Sequence, residues 1–294
     1  MPSHRIALVT ANAARDLDED LVPLEAALRG AGADVTIAAW DDAGINWSGF
    51  DLVLLRSTWD YTQRLPEFLA WAERAAAQTN LLNPLPVMRW NTDKHYLSDL
   101  AKSGVAIVPS TFVEPGDDAI TALAAFQHTH STDEFVVKPA IGAGSRDAQR
   151  YHASGRDAAI AHVRRLLDAR RSALLQPYLE RVDEHGETAL IFFDGKFSHA
   201  IRKGPLLRRG EGPTRALFAA EHITPRQPDA AEIALAERTL AAIPYGTLLY
   251  ARVDLIHDKD GLPRVLELEL TEPSLFFAHA PGSAMRFAKA ILAR

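Results

Sequence analysis

The stretch Phe135-Val136-Val137-Lys138-Pro139-Ala140-Ile141-Gly142-Ala143-Gly144-Ser145 reads as a short apolar strand that ends in a lysine and runs into a glycine loop. A lysine there needs its ammonium solvated or paired, because burying it unpaired is costly. The glycines let backbone N–H groups approach an anion. Lysine and loop together suggest a phosphate clamp. The spacing is neither that of a P-loop nor that of a dinucleotide-binding turn. Taken alone, the stretch fits equally well a surface loop after an edge strand.

Further along lies Val265-Leu266-Glu267-Leu268-Glu269-Leu270. Residues two apart on a strand share a face. Glu267 and Glu269 therefore point one way, and Leu266, Leu268 and Leu270 are expected in the core. Upstream, Leu248 to His257 reads as the partner strand, joined through the turn Asp258-Lys259-Asp260-Gly261, and it places Arg252 and Asp254 on one face. Across such a hairpin Asp254 can approach both glutamates. Three carboxylates without sulfur or imidazole favour a hard cation, Mg²⁺ or Mn²⁺, bridged to phosphates. Either strand alone reads more simply as a charged solvent face; for the two together the metal reading is preferred.

Between these stretches, Gln176-Pro177-Tyr178-Leu179 follows a strand broken by proline. Backbone groups there lack sheet partners and could serve an adenine ring, or the segment is an ordinary hinge. Thr188–Phe193 and Phe197–Ile201 flank Asp194-Gly195, a type I′ hairpin signal. Gly204 to Pro213 carries Arg208-Arg209 and reads as a mobile basic loop. Asp229 to Ile243 reads as a helix. Towards the N-terminus, Arg5–Thr10, Val35–Trp40 and Asp51–Leu55 are apolar runs separated by amphipathic stretches, the rhythm of a doubly wound parallel sheet. Leu81 to Pro86 reads as a turn-rich connector, Asp93 to Ser103 as a helix, and Val105 to Phe112 as a strand interrupted by Pro109.

The whole chain has 294 residues, more than one hydrophobic core usually serves. Its 47% hydrophobic and 24% charged residues are ordinary for a globular protein. Zero cysteine removes disulfides, zinc–thiolate sites and thiol nucleophiles. A net charge of −6 argues against a nucleic-acid binder. No apolar run approaches the ~18–20 residues of a membrane span, and Met1–Thr10 does not read as a secretory signal. The expectation is a cytoplasmic α/β protein, α+β in its C-terminal half, with domains at 1–105, 106–178 and 179–294.

The motifs follow one another in a telling order: Asn83-Pro84…Asn91-Thr92-Asp93-Lys94, then Lys138 with its loop, Gln176–Leu179, Gly186-Glu187, Arg252-Val253-Asp254, and Glu267-Leu268-Glu269 with Pro273 beyond. This succession resembles the ATP-grasp superfamily and, within it, the glutathione synthetase-like ligases. The resemblance implies an ATP-grasp fold behind an N-terminal doubly wound domain. It implies that Lys94 and Lys138 contact the ATP phosphates and that Gly142, Gly144 and Ser145 close over them. Gln176, Pro177, Tyr178 and Leu179 would cradle adenine, and Glu187, with Glu180 as a substitute, would take the ribose hydroxyls. Asp254, Glu267 and Glu269 would hold two Mg²⁺, with Mn²⁺ as a stand-in. Arg252, Arg202 and Lys203 would steady the transferred phosphoryl group. Glu269 stands where these ligases usually carry Asn, which adds a negative charge.

In the N-terminal domain Arg56-Ser57-Thr58-Trp59-Asp60-Tyr61 follows a buried strand, where ligands of open α/β sheets bind. Arg56 could pair a substrate carboxylate, Asp60 a substrate amine, and Trp59 or Tyr61 could form a wall; a loop with a buried aromatic anchor fits as well. This hexapeptide and the Lys138 loop are similar to those of cyclo-ligases that close O-ureido-D-serine with ATP. The function implied is an ATP- and Mg-dependent ligase acting through an acylphosphate on a small amino-acid-like substrate. A small-molecule kinase and a non-catalytic ATP-binding module are the alternatives. The oligomeric state is left open, homo-oligomers included. His128 and His130 read as a solvated pair, while His95 and His279 could lie near the nucleotide or substrate, although a lone histidine is usually structural.

Overall fold

The computed structural model describes residues 4–207, 212 and 222–294. Apolar runs and amphipathic helices alternate at the start of the chain: β1 (Arg5–Thr10), α1 (Leu21–Gly30), β2 (Asp34–Ala39), β3 (Leu52–Ser57), α2 (Leu65–Ala76) and β4 (Asn80–Leu82). The strands form a parallel sheet in the order β2-β1-β3-β4. Helix α2 turns Phe68, Trp71, Ala72 and Ala75 inward, as its spacing dictates.

Two helices follow, α3 (Leu85–Asn91) and α4 (Tyr96–Lys102). The sequence hides α3 because its Leu-Pro start looks like a turn, yet proline is well tolerated in a first helical turn. The helix expected over Asp93 to Ser103 starts only at Tyr96. Residues 92–95 form a break in which the Lys94 amide donates to the Ala140 carbonyl at 3.0 Å. Residues 85–105, placed above in the N-terminal domain, bury Val87, Leu97, Leu100 and Val105 with Leu190, Val253 and Leu268 of a later sheet.

The second sheet is antiparallel, in the order β5-β8-β6-β7, from β5 (Thr111–Val113), β6 (Glu134–Pro139), β7 (Gln149–His152) and β8 (Ala173–Pro177). Helices α5 (Ala119–His130) and α6 (Arg156–Asp168) join its core. The expected strand Val105–Phe112 divides at Pro109. Residues 106–108 bond to Val265 of the third sheet, and Thr111–Val113 joins the second.

After α7 (Val182–His185) comes the third sheet, antiparallel, in the order β11-β10-β9-β12-β13. Its strands are β9 (Glu187–Phe193), β10 (Lys196–Lys203), β11 (Ile223–Arg226), β12 (Tyr250–His257) and β13 (Pro263–Glu269), with α8 (Ala230–Ala241) and α9 (Ser283–Leu292) beside them. Asp194 and Gly195 both have positive φ, as a type I′ turn requires. Asp229 and Glu232 form a capping box at the start of α8. Helix α9 returns to the first domain, where Phe287 and Ile291 share a core with Leu21, Leu24 and Leu28. Part of the basic loop at 204–213 lies outside the described residues. Among the described residues no helix is long and apolar enough to cross a membrane.

Candidate active site

The second and third sheets face each other across a cleft. Strand β6 delivers Lys138 to it, β12 Asp254, and β13 Glu267 and Glu269. Pairing across the hairpin sets Asp254 opposite Glu267 and Arg252 opposite Glu269. Beyond that pair the register slips: Asp254 pairs Glu267 but Leu255 pairs Val265, leaving Leu266 as an extra residue. Such a bulge re-aims side chains. Leu266, expected in the core, is thereby turned into the cleft wall, while Leu268 and Leu270 are buried as anticipated.

Both lysines reach the acid cluster. Lys138 Nζ donates to Glu267 Oε1 at 2.7 Å, and Lys94 Nζ lies 3.8 Å from the same oxygen while donating to the Gly142 carbonyl at 2.8 Å. Burial would raise the Glu267 pKa, but the two ammonium groups hold it down at about 2. Asp254 also resists burial and stays well below the usual carboxylate range, because Arg252 and Lys203 flank it. Lys203 Nζ is 2.7 Å from Asp254 and also pairs with Glu187, its neighbour across β9 and β10. Arg252 grips Asp254 at 2.8 and 2.9 Å and donates to Glu269. The Glu269 carboxyl is raised, by burial first and then despite Arg252 by the neighbouring Asp254 charge.

Gln176, Pro177, Tyr178 and Leu179 line the far end of the cleft. Gln176 donates to Ser110 at 2.9 Å, and the Tyr178 amide is used by the Glu134 carbonyl, while the Leu179 N–H makes no hydrogen bond among the described residues. Gly142, Gly144 and Ser145 line the cleft between the two lysines. Gly144 has φ +60°, left-handed backbone that glycine adopts without strain. Glu187 also faces in, and Glu180 is exposed outside it. Arg202 does not face the cleft. It alternates with Lys203 along β10, and its guanidinium binds the carbonyls of His185 and Glu184 at 2.8 and 2.9 Å. That bond fastens α7 instead.

A second, smaller pocket adjoins the cleft through a shared wall of Lys94, Gly142, Ala143, Gly144, Glu267 and Glu269. From the hexapeptide, Trp59 and Tyr61 line it. The other four do not. Arg56 is wholly buried and donates to the Pro273 carbonyl at 3.0 Å. Ser57 bonds Thr10 at 2.8 Å, and Thr58 is buried. Asp60 accepts from Trp40 at 2.8 Å. Arg56 and Ser57 end β3 inside the fold, and the 3₁₀ turn over Trp59–Gln63 sends Asp60 away from its neighbours Trp59 and Tyr61. His95 pairs with Asp93 and Glu114 and stacks on Phe112; like His279, it lines neither cavity.

The sequence reading did not assign Glu272, Ser274, Phe276, Thr92 and Tyr96, which complete the pocket. Glu272 lies beside Tyr61, and burial, then the nearby Glu269 charge, pushes its carboxyl up to about 8. No local pattern marks it; it precedes Pro273 in a non-repetitive segment. A separate group, His185, Glu232 and His257, lies within metal-binding range of one another. Arg226 binds His185, and Thr188 donates to Glu232 at 2.6 Å, so two of the three already have partners, while the buried Nδ1 of His257 has none among the described residues. Neither His nor Glu of this group lines the cleft.

The ATP-grasp ligase PsnB shares the fold, with a TM-score of 0.67 at 17% identity over 99% of each chain. The chain thus has the ATP-grasp fold, with lysines on two segments facing a carboxylate cluster. Residues 6–83 match the family described as the N-terminal domain of D-cycloserine synthetase DcsG. The chain is 42% identical to the cycloserine biosynthesis protein DcsG of Streptomyces lavendulae over 298 residues, 98% of this chain and 98% of that protein. The crystal structure of D-cycloserine synthetase DcsG matches with a TM-score of 0.93 and 41% identity over 99% of each chain. This protein belongs to the DcsG family.

Proposed function

We propose that this chain is an intramolecular ligase that uses ATP to close a small amino-acid-derived molecule of the O-ureido-D-serine type into a ring. The observation that carries the reading is the shared wall: the larger cleft and one small pocket meet at Lys94, the Gly142–Gly144 loop, Glu267 and Glu269. A carboxylate in the small pocket then lies beside the end of the cleft that carries the phosphate-binding charges. The similarity to DcsG supports the substrate class.

In this reading Lys94 and Lys138 bind the phosphates of ATP, and the 142–145 loop covers them. Gln176 to Leu179 take adenine, with the unused Leu179 N–H as donor, and Glu187 takes the ribose. Asp254, Glu267 and Glu269 offer only carboxylate oxygens, which suits two Mg²⁺ ions, with Mn²⁺ as a substitute. Mg²⁺, when bound, neutralises charge on the phosphates. Arg252 and Lys203 stabilise the charge of the moving phosphoryl group. The substrate carboxylate takes the γ-phosphoryl group from ATP, giving an acylphosphate and ADP. The ureido nitrogen attached to oxygen then attacks the acyl carbon, the acyl–phosphate bond breaks, the N–H proton passes to the departing phosphate, and the ring closes with the carbamoyl group still on that nitrogen. Trp59, Tyr61, Tyr96 and Phe276 hold the two ends of the molecule together and keep water from the acylphosphate. Its use of ATP on a small molecule fits work in the cytoplasm.

The test is ADP release with a panel of amino acids, dipeptides and O-ureido-D-serine, with the product identified by mass. Ring closure of O-ureido-D-serine with stoichiometric ADP is expected. A stable phosphorylated product would make the protein a kinase, and ATP binding without any turnover would make it a binding module.

A further inference from the structure

The small pocket holds an acid that the phosphoryl-transfer machinery does not use. Glu272 is only 8% exposed, lines the pocket, and is fixed through its own carbonyl, which accepts from Trp59 Nε1 at 3.1 Å. Its carboxyl lies beside the Tyr61 side chain, which lines the same pocket. Among the described residues no lysine, arginine or histidine pairs with it. Arg252, which lines the same pocket, is engaged by Asp254 and Glu269. A buried carboxylate without a cation is costly, and an ammonium delivered by a ligand relieves that cost. At the wall shared with the cleft stand Lys94 and, on the pocket side, Arg252. The pocket therefore carries cationic groups and, separately, a carboxyl of its own. That pattern complements a zwitterion.

We propose that Glu272, braced by Tyr61, is the receptor for the ammonium group of the substrate, so that the pocket selects free α-amino acids over des-amino or N-acylated analogues. The assignment rests on reading this pocket as the substrate site. It moves the amine contact from Asp60, whose carboxylate is held by Trp40 and stands 3.7 Å from Arg64, to a residue more than two hundred positions later. The substrate's orientation follows: its ammonium is tied to Glu272, and its carboxylate is left free to lie against the shared wall. Ser274 and Thr92 line the same pocket, and the Thr92 hydroxyl is buried without a partner among the described residues, which leaves a donor for a polar ligand atom.

The experiment compares O-ureido-D-serine with its des-amino analogue in wild type and in Glu272→Gln, by ADP release over a range of substrate concentrations. Wild type is expected to prefer the amine by at least tenfold in kcat/KM. Glu272→Gln should collapse that preference, mainly through KM for the amine, with Glu272→Asp intermediate and ATP affinity kept. Equal loss for both compounds, or a fall in kcat at unchanged KM, would overturn the assignment and make Glu272 a proton acceptor or a structural group. If neither compound releases ADP from wild type, the proposed reaction fails, and the subsite is read by calorimetry with a non-hydrolysable ATP analogue present. Amine-bearing members of a small amino-acid panel must then bind more tightly than their des-amino counterparts, and Glu272→Gln must erase the difference. No difference in wild type overturns the subsite as well.

Discussion

Arg56 donates from Nη2 to the Pro273 carbonyl at 3.0 Å, tying the first parallel sheet to the segment that follows β13. Asp20, 3.8 Å from the same guanidinium, accepts from the amides of Leu275, Phe276 and Phe277 at 2.5, 3.0 and 2.8 Å. The two residues hold the loop that brings Glu272, Ser274 and Phe276 to the small pocket. Arg56→Ala breaks this clasp and strips a buried carboxylate of its cation. The expected cost is about 3 kcal/mol in urea unfolding. KM for the amino-acid substrate should rise several-fold more than KM for ATP, because the loop serves the small pocket.

Glu267 touches both lysines of the cleft, so its charge organises the phosphate end of the site. Glu267→Gln keeps the shape and removes the charge. Turnover is expected to drop on the order of 10²- to 10³-fold, measured as ADP release at saturating substrate. Retention of full turnover would mean that the carboxylate cluster does not serve the reaction.

Gly186 is required by its surroundings. Its φ is +77°, and a Cβ there would lie 2.5 Å from the Lys203 carbonyl oxygen. Gly186→Ala should therefore push β9 from β10 where Glu187 meets Lys203. The expected result is a loss of roughly 2–3 kcal/mol in stability together with weaker ATP binding, read by urea titration and by nucleotide titration.

Glu272 should tax the stability of the ligand-free protein. An acid whose pKa is higher folded than unfolded contributes stability below its unfolded value and loses it as pH rises through the folded value. For Glu272 that window runs from about 4.5 to about 8. Wild type should lose stability relative to Glu272→Gln across this range, about 4 kcal/mol at its upper end. Thermal unfolding of both proteins between pH 5 and 8.5 checks this, and parallel curves would contradict it.

Strand periodicity and turn chemistry made much of this molecule readable from its residues. The alternation along β13 placed Glu267 and Glu269 together, and Asp194-Gly195 announced its turn because few residues tolerate two left-handed positions. The features that escaped depend on single insertions and distant partners. Leu266 reads as a core residue until the slipped register turns it into the cleft. Arg56 and Asp60 look like ligand contacts because they are charged and follow a strand, but their partners, Pro273 and Trp40, come from elsewhere in the chain. Glu272 has no local pattern at all; only the fold brings Tyr61 beside it.

The packing of α9 on α1 bears on how the protein is made. Leu21, Leu24 and Leu28 emerge from the ribosome more than 250 residues before Phe287 and Ile291, which complete their shared core. Until then the nascent first domain carries an apolar face with no cover, open to chaperones and to neighbouring polypeptides. Folding of the first and last segments is thus one event, so truncation before α9 should yield an aggregation-prone chain rather than a smaller stable enzyme.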